Sequence, residues 1–243
     1  MKIVKRVLLV LLIIVISVAG FYTYQGYNIY KEAIEDVSVE EKVKEIKEAT
    51  DNYVEIKDLP QDYLNAVVAV EDRRFYIHSG IDIISICRAV VNDIKELKLV
   101  EGGSTITQQL AKNVYFTQRK EFTRKIAEVF MAFEIEKNCS KEQILELYVN
   151  TSYFGDGYYC VGDASEGYFD KKPIDMDLYE CTLLAGIPNA PSVYAPTKNP
   201  ELAKQRQGQV IKKMVKYGFL SKEQGNKIME EDYYEQSDKR NGK

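Results

Sequence analysis

Residues 7–24 carry no charge and are mostly Val, Leu and Ile, and they follow directly on Lys2, Lys5 and Arg6. As a helix the run is roughly 27 Å long, near the hydrocarbon thickness of a bilayer. A segment with no polar face must be buried in protein or in lipid, and its place behind a basic cluster at the extreme terminus points to lipid. The positive-inside rule then keeps residues 1–6 in the cytoplasm and sends the rest of the chain outside. A cleaved signal peptide is the alternative, because Ser17-Val18-Ala19 resembles a small-residue cleavage site. Against it, the apolar run continues through Phe21 and Tyr22.

With 45% hydrophobic and 29% charged residues, the 243-residue chain can bury one sizeable core, which excludes disordered and fibrous classes. The net charge is −4, and the part beyond the three basic residues at the N-terminus is nearer −7, so nucleic acid is not an expected partner. The four cysteines (Cys87, Cys139, Cys160 and Cys181) form no Cys-x-x-Cys pair, and His78 is the sole histidine, so no structural metal site is expected. Export would permit disulfides, and the three full pairings and free thiols all stay open, although a domain of this size does not need staples.

Residues 31–58 hold ten acidic and five basic side chains, with a Ser38/Glu41 capping-box pattern opening a short helix, so 25–57 is expected to be a solvated juxtamembrane stalk. From Asp58-Leu59-Pro60 onward, Tyr63, Leu64, Val67, Val68 and Val70 form a helical apolar face ending beside Glu71. Further helix signals are Ser140 with Gln143, Asn199 before Pro200, a Gly218 stop, and Ser221 with Gln224. No alternating strand pattern of useful length occurs. The expected architecture is mainly α, with a domain over 58–220, loops near 99–106 and 150–162, and a C-terminal helix and tail over 221–243.

Between Arg124 and Lys137, Ile126, Val129, Phe130 and Phe133 form one apolar face while Met131 and Ile135 lie on the opposite side, so that helix is expected to be central. Glu128 then either enters the protein with Arg124 as partner or forms an ordinary surface i,i+4 pair, the second being the commoner arrangement.

Chemistry concentrates in two strings. Glu71-Asp72-Arg73-Arg74-Phe75-Tyr76-Ile77-His78-Ser79-Gly80 sets two carboxylates at a helix end. Gly102-Gly103-Ser104-Thr105-Ile106-Thr107-Gln108-Gln109-Leu110-Ala111-Lys112-Asn113 turns a polar loop into a helix whose start favours anions, with Lys112 adding a point charge. Lys112, Arg119, Lys120, Arg124 and Lys125 against Glu121 make a locally cationic stretch in an acidic chain. Lys212 and Lys213 are read as exposed basic residues outside it.

These strings, with Arg124-Lys125-Ile126-Ala127-Glu128, Ile144–Asn150, Tyr153-Phe154-Gly155 and Leu184–Ser192, resemble glycosyltransferase family 51, the peptidoglycan glycosyltransferases. The resemblance runs over about 58–220. It implies a lysozyme-like, mainly helical domain with a small lobe that dips into the bilayer near the anchor. It also implies polymerisation of lipid II, the undecaprenyl-pyrophosphate-linked disaccharide-pentapeptide, into β-1,4 glycan with release of undecaprenyl pyrophosphate. Glu71 matches the family's base and Glu128 its second catalytic carboxylate. Asp72, Phe75, His78, Arg88, Ser104, Thr105, Gln109, Lys112, Lys120, Arg124 and Lys125 match its substrate-binding cleft. For Phe75 a core role fits better, and His78 equally suits a structural role. A divalent cation, Mg²⁺ or Mn²⁺, at the pyrophosphate stays open. The implied partners are lipid II, the growing strand, the membrane and other cell-wall synthesis proteins.

The chain departs from the family pattern at Tyr159-Cys160-Val161-Gly162-Asp163-Ala164, at Tyr168-Phe169-Asp170 and at Arg206-Gln207, where paired arginines are usual. These residues contain no Ser-x-x-Lys, Ser-Asp-Asn or Lys-Thr-Gly motif, so glycan synthesis without peptide cross-linking is expected. Two other readings remain: a lysozyme-like hydrolase or lytic transglycosylase, and an inactive scaffold of a wall-synthesis complex.

Overall fold

A computed structural model describes residues 2–96, 102–116 and 122–230. Among them the chain is helical, with no β-strand: α1 (Lys2–Asp36), α2 (Val39–Ala49), α3 (Gln61–Glu71), α4 (Ile83–Glu96), α5 (Ile106–Tyr115), α6 (Phe122–Asn138), α7 (Lys141–Asn150), α8 (Val161–Phe169), α9 (Leu178–Gly186), α10 (Pro191–Tyr194), α11 (Pro200–Lys216) and α12 (Lys222–Glu230). The mainly α class is as expected.

The helix ends obey local chemistry. Capping boxes open α2 at Ser38, α5 at Thr105, α7 at Ser140 and α9 at Asp177, each with its N3 Glu or Gln reaching back to the cap amide. Ser221 and Gln224 exchange the same pair of bonds before α12. Past the end of α11, Gly218 takes φ +81°, a left-handed conformation that glycine adopts without strain.

At the centre lies α3, with Tyr63, Leu64 and Ala66 through Val70 all buried, packed on α9 and α11. α9 is buried from Tyr179 through Gly186. α6 has the two-sided character its sequence suggests. Ala127, Met131 and Ile135 enter the core beside α5, while Ile126 and Phe130 meet α1.

The apolar run is the first half of α1, and nothing in its most apolar stretch is buried by protein. Its second half is no stalk. Gly26 sits against Ile126, Phe130 meets Tyr27 edge-on at 5.4 Å and Tyr30 in a tilted contact at 5.9 Å, and the Tyr30 hydroxyl reaches Glu134. α2 also packs down, through Val39, Val43 and Ile46, and Lys47 pairs with buried Glu146 at 3.0 Å. The expected solvated stalk over 25–57 is therefore corrected. Its charges lie on the outer faces of helices whose apolar residues recur at helical spacing.

The string Ile144–Asn150 belongs to this scaffold. The Glu146 carboxylate accepts from the Tyr53 hydroxyl (2.6 Å) and the Ile56 amide (2.9 Å), and Asn150 both donates to and accepts from the backbone of Val54. The departures at α8 are packing matters too. A Cβ on Gly162 would lie 2.2 Å from the Asn52 carbonyl oxygen, and one on Gly167 would lie 2.1 Å from the Tyr158 ring. Cys87, Cys139, Cys160 and Cys181 are free thiols.

Candidate active site

α3, α6 and α11 converge with the loop before α5 on a cleft of about 510 Å³. Its wall takes Glu71 from the end of α3, Arg88 from α4, Ser104 before α5, Gln109 and Lys112 from α5, and Arg124, Lys125 and Glu128 from α6. These include both candidate catalytic carboxylates and six of the expected substrate-binding residues.

Glu71 is held from two sides. Gln109 Nε2 donates to its Oε2 at 2.8 Å, and Gln109 is itself steadied by the Tyr148 hydroxyl, which donates to Oε1 of the amide at 3.2 Å. The other oxygen, Oε1, is buried and accepts no hydrogen bond, its nearby cation being Arg206 Nη2 at 3.6 Å. A carboxylate held in one orientation on the wall of a cleft is suited to taking a proton.

Glu128 is arranged otherwise. It is 1% exposed, and both oxygens face cations: Arg124 Nε at 3.0 Å from Oε1 and Lys125 Nζ at 2.8 Å from Oε2. Lys125 also donates to Ser104 Oγ at 2.6 Å. The surface i,i+4 pair that sequence favoured is corrected here, because α6 is covered by α1 and α5 and turns Glu128 inward. Its charge offsets two of the cations and holds their side chains in one place, whereas exposed Lys112 has no anionic partner among the described residues.

Four expected cleft residues do not line it. Asp72, 6% exposed, caps the end of α3 and turns inward, where its Oδ2 accepts from His78 Nε2 (2.8 Å) and from the Ile106 amide (3.1 Å). That carboxylate ties α3 to the start of α5. His78 is buried against it, and Phe75 is wholly in the core, in edge contact with Tyr76. Thr105 is the buried cap of α5 and donates to the Gly80 carbonyl at 2.6 Å. Their motif positions build the cleft without facing it. Lys120, like Arg119, lies outside the described residues.

Sequence reasoning missed one wall. α11 contributes Arg206, Gln209 and Lys213, at spacings of three and four that place them on one helical face. Arg206 donates to the Gly186 carbonyl and to Gln209, and Lys213 donates to the Val70 carbonyl at 2.9 Å, one residue before Glu71. Lys213 is thus no exposed bystander, while its neighbour Lys212 is. Gln207, at the family's second arginine position, is buried and donates to Tyr179 and Thr182 of α9. Arg73, Asn189, Tyr194 and Tyr217 also line the cleft. The spacing of Arg206, Gln209 and Lys213 along one face of α11 was the available signal.

Among the described residues no three His, Cys, Asp or Glu side chains gather as a metal cage, and the two cleft carboxylates both face cations. The donor set is therefore wrong for a protein-held divalent ion.

Comparison with known proteins places these residues among relatives. A family model described as Transglycosylase matches residues 39–215. A transglycosylase of Cupriavidus necator is 44% identical over 173 residues, covering 71% of this chain and 74% of its own. Penicillin-binding protein 1A of Neisseria flavescens is 41% identical over 182 residues, or 75% of this chain, and the match spans only 23% of that longer protein. The crystal structure of penicillin-binding protein 1A from Haemophilus influenzae aligns with 74% of this chain and 17% of its own, with a TM-score of 0.45 and 22% identity.

Proposed function

Since the chain belongs to the transglycosylase family and is a peptidoglycan glycosyltransferase anchored by an apolar N-terminal helix, we propose that it polymerises lipid II into β-1,4 glycan by single displacement with inversion. The observation that carries this reading is the division of the cleft. Glu71 has the Gln109 amide at one oxygen and a cation only at the other, Glu128 is flanked by cations at both, and Lys112, Arg124, Lys125 and Arg88 line the same cavity.

In the proposed step the acceptor sugar's 4-hydroxyl gives its proton to the Glu71 carboxylate as its oxygen bonds the donor's anomeric carbon. The bond from that carbon to the pyrophosphate oxygen breaks, and the departing undecaprenyl pyrophosphate takes the electron pair. This leaving group is already a stable anion, so it needs positive charge more than a proton. Lys112, Arg124 and Lys125 supply that charge, and Glu128 keeps the latter two in position. Gln109 orients the base, and Arg206 stands 3.6 Å from its other oxygen. The catalytic domain stands outside the cytoplasmic membrane, with Lys2, Lys5 and Arg6 on the cytoplasmic side. Its partners are the lipid-linked donor, the growing strand and other wall-synthesis proteins.

Incubation of the purified full chain with labelled lipid II, followed by gel separation, tests this. The expected product is a ladder of polymer that lysozyme digests. Cleavage of preformed glycan without synthesis would replace the proposal with a hydrolase, and neither product would leave a scaffold.

A further inference from the structure

The tie that orients Glu71 does not end at Gln109. It runs on to Tyr148, which lies in the last turn of α7 and is 2% exposed. The Tyr148 hydroxyl donates to Gln109 Oε1 at 3.2 Å, and Gln109 Nε2 donates to Glu71 Oε2 at 2.8 Å. Resting on the reading of Glu71 as the base, we propose that Tyr148 is a positioning residue of the reaction, whose hydroxyl holds the Gln109 amide in one orientation and through it fixes the carboxylate.

The first argument is freedom of movement. Glu71 and Gln109 both line the cleft on long side chains with several torsions. An amide bonded to Glu71 alone would move with it, whereas an amide bonded also to a ring locked in the core becomes a fixed point. α7 is buried from Ile144 through Asn150, and Ser152 Oγ donates to the Tyr148 carbonyl at 2.6 Å, so the ring's own backbone is held. The backbone of Gln109 is held separately, by the Thr105/Gln108 capping box that opens α5 and by Asp72, which accepts from the Ile106 amide. Tyr148 thus acts on the part of Gln109 that its helix leaves free.

The second argument is the direction of the bonds. A carboxylate only accepts, so Nε2 must face Glu71 and Oε1 must face α7. A phenol has one proton to give, and here Oε1 receives it. Burial, with the nearby Glu71 charge, pushes the Tyr148 phenol well above its ordinary range, so it remains a donor at neutral pH. Once Glu71 has taken a proton it can donate as well, and an unheld amide would turn its oxygen toward the carboxyl and trap that proton. With Tyr148 in place the turn would strand a buried phenol proton without an acceptor, which is costly.

A double-mutant cycle on the full chain in nanodiscs, with labelled lipid II, tests this. Tyr148→Phe keeps the ring and removes only the hydroxyl. Turnover at saturating lipid II should fall by about 10- to 100-fold, as for a misdirected reacting group, with KM within about twofold of wild type. In the Gln109→Met background there is no amide to hold, and the same change should alter turnover by less than about twofold. Tyr168→Phe is the control: Tyr168 is also buried, its hydroxyl donates to the Phe154 carbonyl at 2.8 Å, and it is no part of the cleft wall. That variant should lower the Tm and leave turnover unchanged.

Wild-type turnover in Tyr148→Phe, or an equal loss in both backgrounds, would overturn the proposal while polymerisation by wild type left the function standing. Should wild type make no polymer, or Glu71→Gln keep its rate, the base reading fails instead. The tie is then judged by NMR of the Gln109 side-chain amide, assigned by its absence in Gln109→Met. Loss of its order in Tyr148→Phe supports the hold, and an unchanged signal refutes it.

Discussion

Arg206 Nη2 stands 3.6 Å from Glu71 Oε1, joining the last residue of α3 to the second turn of α11 across one wall of the cleft. Gln109 takes the other oxygen, so the carboxylate lies between an amide and a guanidinium. Lys213 adds a third tie by donating to Val70 just before it.

This arrangement makes the first prediction. Glu71→Gln retains shape and the contact with Gln109 and loses the proton acceptor, so turnover should fall by about 10²- to 10⁴-fold. Thermal unfolding and lipid II binding should be nearly unchanged. Retention of a tenth of the wild-type rate in a single-turnover assay would remove Glu71 from the role of base.

The cations give the second. Lys112→Met and Arg124→Met should lower turnover at saturating donor by about 10²- to 10³-fold, as when a preorganised charge is taken from a developing anion. Lys212→Met is the matched control for net charge, because Lys212 is exposed; Lys213 cannot serve, since it lines the cleft. A raised KM with unchanged turnover would assign these residues to ground-state binding instead.

A third concerns the union of anchor and domain. A Cβ on Gly26 would lie 2.6 Å from Ile126 Cβ and 2.9 Å from the Thr123 carbonyl oxygen, whereas nothing lies within 4 Å of one on Gly20. Gly26→Leu should therefore cost about 1–3 kcal/mol by overpacking and lower the Tm of the detergent-solubilised chain by roughly 3–10 °C. Gly20→Leu should not. Equal Tm values for the two variants would mean that α1 does not press on α6 as described.

The fourth follows from Glu146. Burial pushes its carboxyl up, but hydrogen bonds from Tyr53 and the Ile56 amide, together with the Lys47 ammonium, outweigh burial and hold it below the ordinary value. A group whose pKa is lowered on folding stabilises the fold above its unfolded pKa. That contribution fades as pH falls through the lowered folded value. Wild type should thus exceed Glu146→Gln in stability at neutral pH, and the gap should narrow as acid is added below the ordinary carboxylate range. Denaturant melts at several pH values would show it, and a gap that widened in acid would reverse the assignment.

The protein is also expected to remain membrane-bound at its full length. It should sediment with membranes and keep its N-terminal Met-Lys-Ile, and a mature N-terminus at Gly20 would identify residues 1–19 as a cleaved leader.

Several helices and some of their ends were legible from sequence because they depend on neighbours a few residues away, while α4, α8, α9 and α10 were not. Ser38 with Glu41, Ser140 with Gln143, and Gly218 after α11 act within one turn, so residue order suffices. The anchor was legible for a similar reason, since a run with no polar face has few places to go, and the two motif strings located the site to within a loop. Which residues of those strings face the cleft depended on partners far away in the chain. Glu71 and Asp72 are adjacent and chemically alike. The end of α3 falls between them, leaving one to Gln109 and Arg206 in the cleft and turning the other inward to His78 and the Ile106 amide. Lys212 and Lys213 divide in the same way, separated by a single helical step of roughly 100° that leaves one in solvent and brings the other to Val70. By itself the sequence determined several helix starts, the apolar N-terminal helix and the stock of charged groups, because these follow from short-range bonding and hydrophobicity. Only the packing of α3 against α9 and α11, and of α6 between α1 and α5, decided which charges meet, because burial and pairing are settled by surfaces from distant parts of the chain.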